Sequence, residues 1–293
     1  MTTHEHTTQH LLGLDIGGVF SRTNKRFEKV FLPILVLQVA SLIILGILLI
    51  AVAGALGALY ALLPAGLTTI ALLSMVGLFS AGLVLYLYCA VPIMSIHILQ
   101  NPSYEYQNLF KKSIKQVPRV FTISALTGLA IIGGLILGFL PGIWLAIVLE
   151  FVFIILVLEH KTHKEVIAQS AFLIKGNFWN VAAALAIIII ISMFIGAIPF
   201  VGMLLSIVLA IFGKCLTFEL YKTLTHNKVH DVNVKHSNKK LVNSIYALAA
   251  FAVLAIIAIF SALILFIGLA NIQDNASGDF DPLNNTVLAE PQI

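Results

Sequence analysis

Long apolar blocks alternate with short basic segments along this chain, and the segments between the blocks carry the clearest helical period. From Leu12 a stripe of Leu12, Ile16, Val19, Phe20, Thr23, Phe27 and Val30 falls at spacings of three and four, one face of a helix. Arg22, Lys25, Arg26 and Lys29 lie around the rest. A second stripe, Tyr106, Leu109, Phe110, Ser113 and Val117, follows Asn101-Pro102, which reads as a cap and a first helical residue. Lys111, Lys112 and Lys115 take its other face. A third runs within Glu159–Asn180. There Thr162-x-x-Glu165 has capping-box spacing, and Val166, Ile167, Ser170, Ala171 and Ile174 form the stripe. Gly176 is a natural helix end, and Lys175, Phe178 and Trp179 are candidate interfacial anchors for the span that follows. Each stripe predicts an amphipathic helix in the membrane interface, near 11–29, 102–118 and 162–176.

The apolar blocks between them predict helical hairpins. Span one covers 30–62, LeuProAlaGly at 63–66 breaks it, and span two runs to Leu99. Span three covers 120–139, Pro141-Gly142 turns the chain, and span four covers 143–158. Span five runs to Ala197, Pro199 turns the chain, span six ends near Tyr221, and span seven covers 241–269. The expected fold class is therefore an all-α polytopic bundle of about seven spans, each needing ~20 apolar residues. It consists of three repeats of amphipathic helix plus hairpin, with one extra C-terminal span. Residues 11–222 form the six-span domain, flanked by a disordered tail (1–10), a basic loop (223–240) and an acidic tail (271–293). Small residues at Ala51/Ala55, Ala53/Gly57, Gly54/Ala58 and Gly134/Gly138/Gly142 are spaced for close helix contact. No pattern signals a helix interrupted at mid-membrane.

Composition agrees with this pattern. Of 293 residues, 60% are hydrophobic and 10% charged, far below the charge content of a soluble domain, which is about 25%. The distribution of charge sets the topology. Of 17 Lys and Arg residues, all except Lys214 fall before span one or in the loops after spans two, four and six. With seven spans those loops share one side, so the N terminus is expected in the cytoplasm and the C terminus outside, in a cell inner membrane. No cleavable leader is expected, because a long charged segment precedes the first apolar run.

Candidate chemistry is sparse. Lys214 and Glu150 are ionisable groups at membrane depth, where such groups are costly and mark functional positions. Counting about 1.5 Å per residue puts Glu150 about 12 Å and Lys214 about 20 Å from their outer tips. The pair reads either as an ion or proton pathway or as a structural charge pair, with Lys214 reaching toward Glu219. Glu159, His160, His163 and Glu165 are the one group resembling a catalytic or metal cluster; a solvated loop explains them as well. His4, Glu5, His6 and His10 sit in the tail, and His226, His230 and His236 in a basic loop. Cys89 and Cys215 lie inside apolar runs as packing residues. Gly17-Gly18 lacks the setting of a phosphate loop. Asn275 and Asn284 fit the glycosylation tripeptide, relevant only in a secretory membrane. No cofactor is implied. The expected partners are membrane lipids, with anionic headgroups at the basic face, and a protein partner or second copy. Nucleic acid is not expected, since the basic residues are spread over four short segments beside lipid.

The run AQSAFLIKGNFW from Ala168 to Trp179, after a span ending in Leu158-Glu159, resembles a signature of poorly characterised prokaryotic integral-membrane families. They include the membrane domain attached to some glycerophosphodiester phosphodiesterases. The segment Gly17–Ser21 with Lys25–Phe27 resembles their first helix. The resemblance covers about residues 11–222 and implies a membrane domain; this chain adds a span and an acidic tail and has no catalytic barrel, so no catalytic residue carries over. Three functions remain open. They are a non-enzymatic structural or accessory protein of a membrane complex or lipid environment, a transporter or channel subunit using Glu150 and Lys214, and a membrane-embedded lipid-modifying enzyme.

Overall fold

Every described secondary-structure element is an α-helix. The computed structural model describes residues 14–62, 67–103, 105–159, 161–199, 201–228 and 239–277, with backbone alone at 59–62, 67–73, most of 78–88, 267–277 and a few single positions. The helices are α1 (Ile16–Leu62), α2 (Leu67–Gln100), α3 (Tyr106–Leu137), α4 (Phe139–Val148), α5 (Val152–Glu159), α6 (His163–Ile174), α7 (Phe178–Gly196), α8 (Val201–Lys228) and α9 (Lys239–Ser277). Six described segments are long and apolar enough to cross a membrane: Ile16–Ala58, Tyr106–Leu137, Phe139–Glu159, Phe178–Gly196, Leu204–Asn227 and Lys239–Phe266. Helix α2 contributes a shorter apolar stretch, Cys89–Gln100. The tip at 63–66, most of the 223–240 loop and the end of the acidic tail lie outside the described residues.

The amphipathic stripes face inward as expected, but two of them belong to longer helices. Val19, Thr23, Val30 and Ile34 are all fully buried, so the stripe passes the expected boundary at Val30 without a change of phase. One helix of 47 residues results, with Pro33 inside it. Likewise Leu109, Ser113, Val117, Val120 and Ile123 form one unbroken buried stripe through α3. Tyr106 and Phe110, read as part of that stripe, are instead exposed. Asn101 does not cap this helix. Its side-chain oxygen accepts from the Ser103 N–H at 3.2 Å and hydroxyl at 2.8 Å, and the helix starts at Tyr106 behind Glu105. Only the third stripe is a separate helix, α6. The Glu165 carboxylate accepts the Thr162 N–H at 3.0 Å at its start, and Gly176, at φ +87°, follows its end. At the start of α1, Asp15 accepts the Gly18 N–H at 3.0 Å, which accounts for Gly17-Gly18 as a capped helix start.

Helix α5 lies at the centre. Phe151, Val152, Ile154, Ile155, Leu156 and Val157 are all buried, so protein encloses most of its surface. It packs against α2, α3 and α6, while α1 packs on α2 and α8, and α9 on α3. The chain turns between α3 and α4 at Gly138; Pro141 and Gly142, expected to be the turn, fall in the first turn of α4. Gly142 serves contact instead: a Cβ there would lie 2.4 Å from the Leu135 side chain. At Gly133 a Cβ would lie 2.4 Å from the Leu248 carbonyl oxygen on α9. The small residues between Ala51 and Ala58, by contrast, are exposed, and a Cβ at Gly54 or Gly57 meets nothing within 4 Å. Gly142→Ala and Gly133→Ala should therefore each lower stability by about 1–3 kcal/mol. Gly54→Ala should gain up to about 1 kcal/mol of helix propensity. Thermal unfolding in detergent ranks the three.

Candidate functional site

The central span is broken where Glu150 sits. Leu149, Glu150 and Phe151 are non-helical between α4 and α5. The Glu150 N–H bonds the Ile147 carbonyl at 3.2 Å, and the Val152 N–H bonds Leu149 at 3.1 Å, so the helical i→i−4 pattern tightens to i→i−3 here. The shift takes the usual helical donor away from the Val148 carbonyl. Ser170 supplies another, its hydroxyl donating at 2.7 Å from α6. Irregular backbone at membrane depth is tolerated only where protein or a cavity surrounds it, and both conditions hold. The expectation of an uninterrupted span four is thus corrected. The carbonyl that the break frees is satisfied by a hydroxyl 22 residues away in sequence, on a separate helix.

The break opens on a cavity of about 1070 Å³ between α2, α4–α5, α7 and α8. Its walls are apolar except for a few groups, chiefly Ser95, Glu150, Lys214 and Thr217. The Thr217 hydroxyl donates to Glu150 at 3.2 Å. Leu140 and Trp179, both lining residues, are 79% and 81% exposed, so the cavity opens on the outer face of the bundle. Glu150 and Lys214 share this cavity but are not an ion pair; the described ion pairs are Arg26–Glu219 and Lys161–Glu159. The structural charge pair expected between them is therefore absent, and Lys214 does not reach Glu219, which belongs to Arg26. Phe178 and Trp179 stack edge to face, with centroids 5.3 Å apart, and both line the cavity, a position beyond the anchoring role expected of them. Lys111, Lys112, Lys115 and Lys175 are exposed, as expected.

Two polar clusters close the basic end of the bundle. Arg26 pairs with buried Glu219 of α8, donates to the Leu99 carbonyl of α2 at 2.5 Å, and stacks over Phe218 at 4.9 Å. Sequence spacing placed Arg26 among the solvated charges; a partner 193 positions away leaves no local signal. Glu159, at the end of α5, accepts from Tyr221 at 2.5 Å, Gln169 at 2.8 Å and Lys161 at 2.6 Å. It therefore joins α5, α6 and α8 rather than assembling with His163 and Glu165. Among the described residues no three His, Cys, Asp or Glu side chains are grouped to hold a metal. His4, Glu5, His6, His10, His160, His230, His236 and Asn284 lie outside them. Tyr221→Phe should cost about 1.5–3 kcal/mol by removing a donor to a charged acceptor. Lys161→Met, on the exposed side, should cost less than about 1 kcal/mol. Chemical denaturation in detergent reads both.

The geometry provides a membrane-depth carboxylate and a membrane-depth amine on one largely apolar cavity, with the Thr217 hydroxyl on the carboxylate. Compared with family models, curated proteins and solved structures, this chain matches none.

Proposed function

We propose that this chain is a non-enzymatic, seven-span protein of the cell inner membrane that binds a lipid-like molecule inside the bilayer, in a lipid-handling or transport role. The observation that carries the reading is the interruption of the central span at Glu150, beside an apolar cavity. A purely structural bundle gains nothing from breaking its most enclosed helix and placing a carboxylate there, since ionisable groups at this depth are costly. Broken helices of this kind build binding sites in membrane carriers. A cavity of about 1070 Å³ is at the top of the range of small-molecule sites, about 300–1,000 Å³. The charge of the basic loops supports a cytoplasmic position for the end of the bundle that carries the Arg26 and Glu159 clusters.

The test is retention of ligand. Wild type and Ala182→Trp, which fills the cavity from α7, are purified in mild detergent, and bound amphiphiles are extracted and identified by mass spectrometry. Wild type should retain a stoichiometric amphiphile that the variant loses. Equal retention by both, or none in either, would overturn the reading.

A further inference from the structure

The cavity holds an acidic and a basic side chain that are not paired with each other. Among the described residues Glu150 has one side-chain polar partner, the Thr217 hydroxyl at 3.2 Å, which leaves most of the acceptor capacity of its carboxylate unused. Lys214, on α8, makes no hydrogen bond or ion pair with the described residues. Each lines the same cavity, and elsewhere in that cavity the walls are mainly apolar. An ion in such surroundings demands a countercharge or hydrogen-bonding partners. Because the two are not joined to each other, one occupant satisfies both only if it carries both signs.

We propose that the cavity binds a zwitterionic amphiphile, its headgroup cation against Glu150 and its headgroup anion against Lys214. This rests on the reading of the cavity as a lipid-binding site and names the class of lipid. An anionic amphiphile pairs with Lys214 and leaves Glu150 without a counter-ion; a cationic one does the reverse; an uncharged one serves neither. The apolar wall supplies the place for the chain. From Trp179 to Ile189 along α7 the lining extends about 15 Å, half of the roughly 30 Å hydrocarbon core. Leu140 and Trp179 of the lining are exposed on the outside of the bundle, the side from which an amphiphile in the bilayer reaches the cavity.

The two tryptophans of the chain, Trp144 and Trp179, both line the cavity and report occupancy by fluorescence. Full-length protein in detergent is titrated with short-chain phosphatidylethanolamine, phosphatidylglycerol and diacylglycerol, and with phosphoethanolamine lacking chains. Phosphatidylethanolamine should bind about tenfold more tightly than the other two lipids, the worth of one charged hydrogen bond. Phosphoethanolamine alone should bind far more weakly. Glu150→Gln should erase the preference over phosphatidylglycerol. Lys214→Met should leave an alkylammonium probe bound as tightly as the zwitterion, so one well-folded variant of the two is sufficient. Equal binding of the three lipids would overturn the headgroup assignment while the lipid site stands. Binding of phosphoethanolamine as tight as that of its lipid would overturn the amphiphile. No binding by any probe would remove both this assignment and the reading beneath it.

Discussion

Replacing Arg26 by Met destabilises the folded protein by about 3–5 kcal/mol, the penalty for leaving one member of a buried ion pair behind. The magnitude follows from what would remain. Glu219 is 5% exposed, and its described charge partner is Arg26, so the variant leaves a carboxylate in the core of the basic end. The Leu99 carbonyl of α2 loses its guanidinium donor in the same step, and Phe218 loses the cation stacked on it. Three helices, α1, α2 and α8, meet through this one side chain. The double variant Arg26→Met with Glu219→Leu removes the unpaired charge and should recover most of the loss, because a buried pair replaced by apolar residues is often neutral. Unfolding by denaturant in detergent, followed by circular dichroism, measures both. A single variant as stable as wild type would show that water reaches Glu219.

Glu150→Leu has the opposite sign. Its carboxylate is held by one hydroxyl in a largely apolar cavity, so removing it should leave stability unchanged or raise it by as much as about 1–4 kcal/mol. Ligand retention should nevertheless fall by about tenfold or more, the loss expected when a charged contact disappears. Stability gained where binding is lost is the mark of a site kept for function. The same purification and lipid extraction read retention, and a melting curve reads stability. Glu150→Leu that is less stable than wild type, with its ligand still bound, would make Glu150 a structural residue.

The contrast between these two carboxylates shows what a single sequence reveals. Glu150 was legible, because one acidic residue inside Phe139–Leu158 stands out against its apolar neighbours. The break around it was not. The run Leu149–Leu158 contains neither Gly nor Pro, and the carbonyl freed at the break is bonded by a Ser170 hydroxyl from another helix. Helix α6 was legible from Thr162, Glu165 and Gly176, because caps are local. The continuity of α1 and α3 was hidden by the change from charged to apolar neighbours near Val30 and Val117, although the buried stripe keeps its phase through both. Contacts such as Arg26–Glu219, Gly133 against Leu248 and Tyr221 with Glu159 join distant parts of the chain. Spacing along one sequence carries no trace of them.

The central claim, that span four opens at Glu150 onto a binding cavity, is tested most directly by thiol labelling. In a background with Cys89→Ala and Cys215→Ala, single cysteines are placed at Glu150, Thr217 and Ile155 and exposed to a small membrane-permeant maleimide. Cysteines replacing Glu150 and Thr217, which line the cavity, should react and be protected by added phosphatidylethanolamine. The cysteine replacing Ile155, at 0% exposure, should stay unlabelled. A cysteine at the Glu150 position as inert as the one at Ile155 would contradict the account.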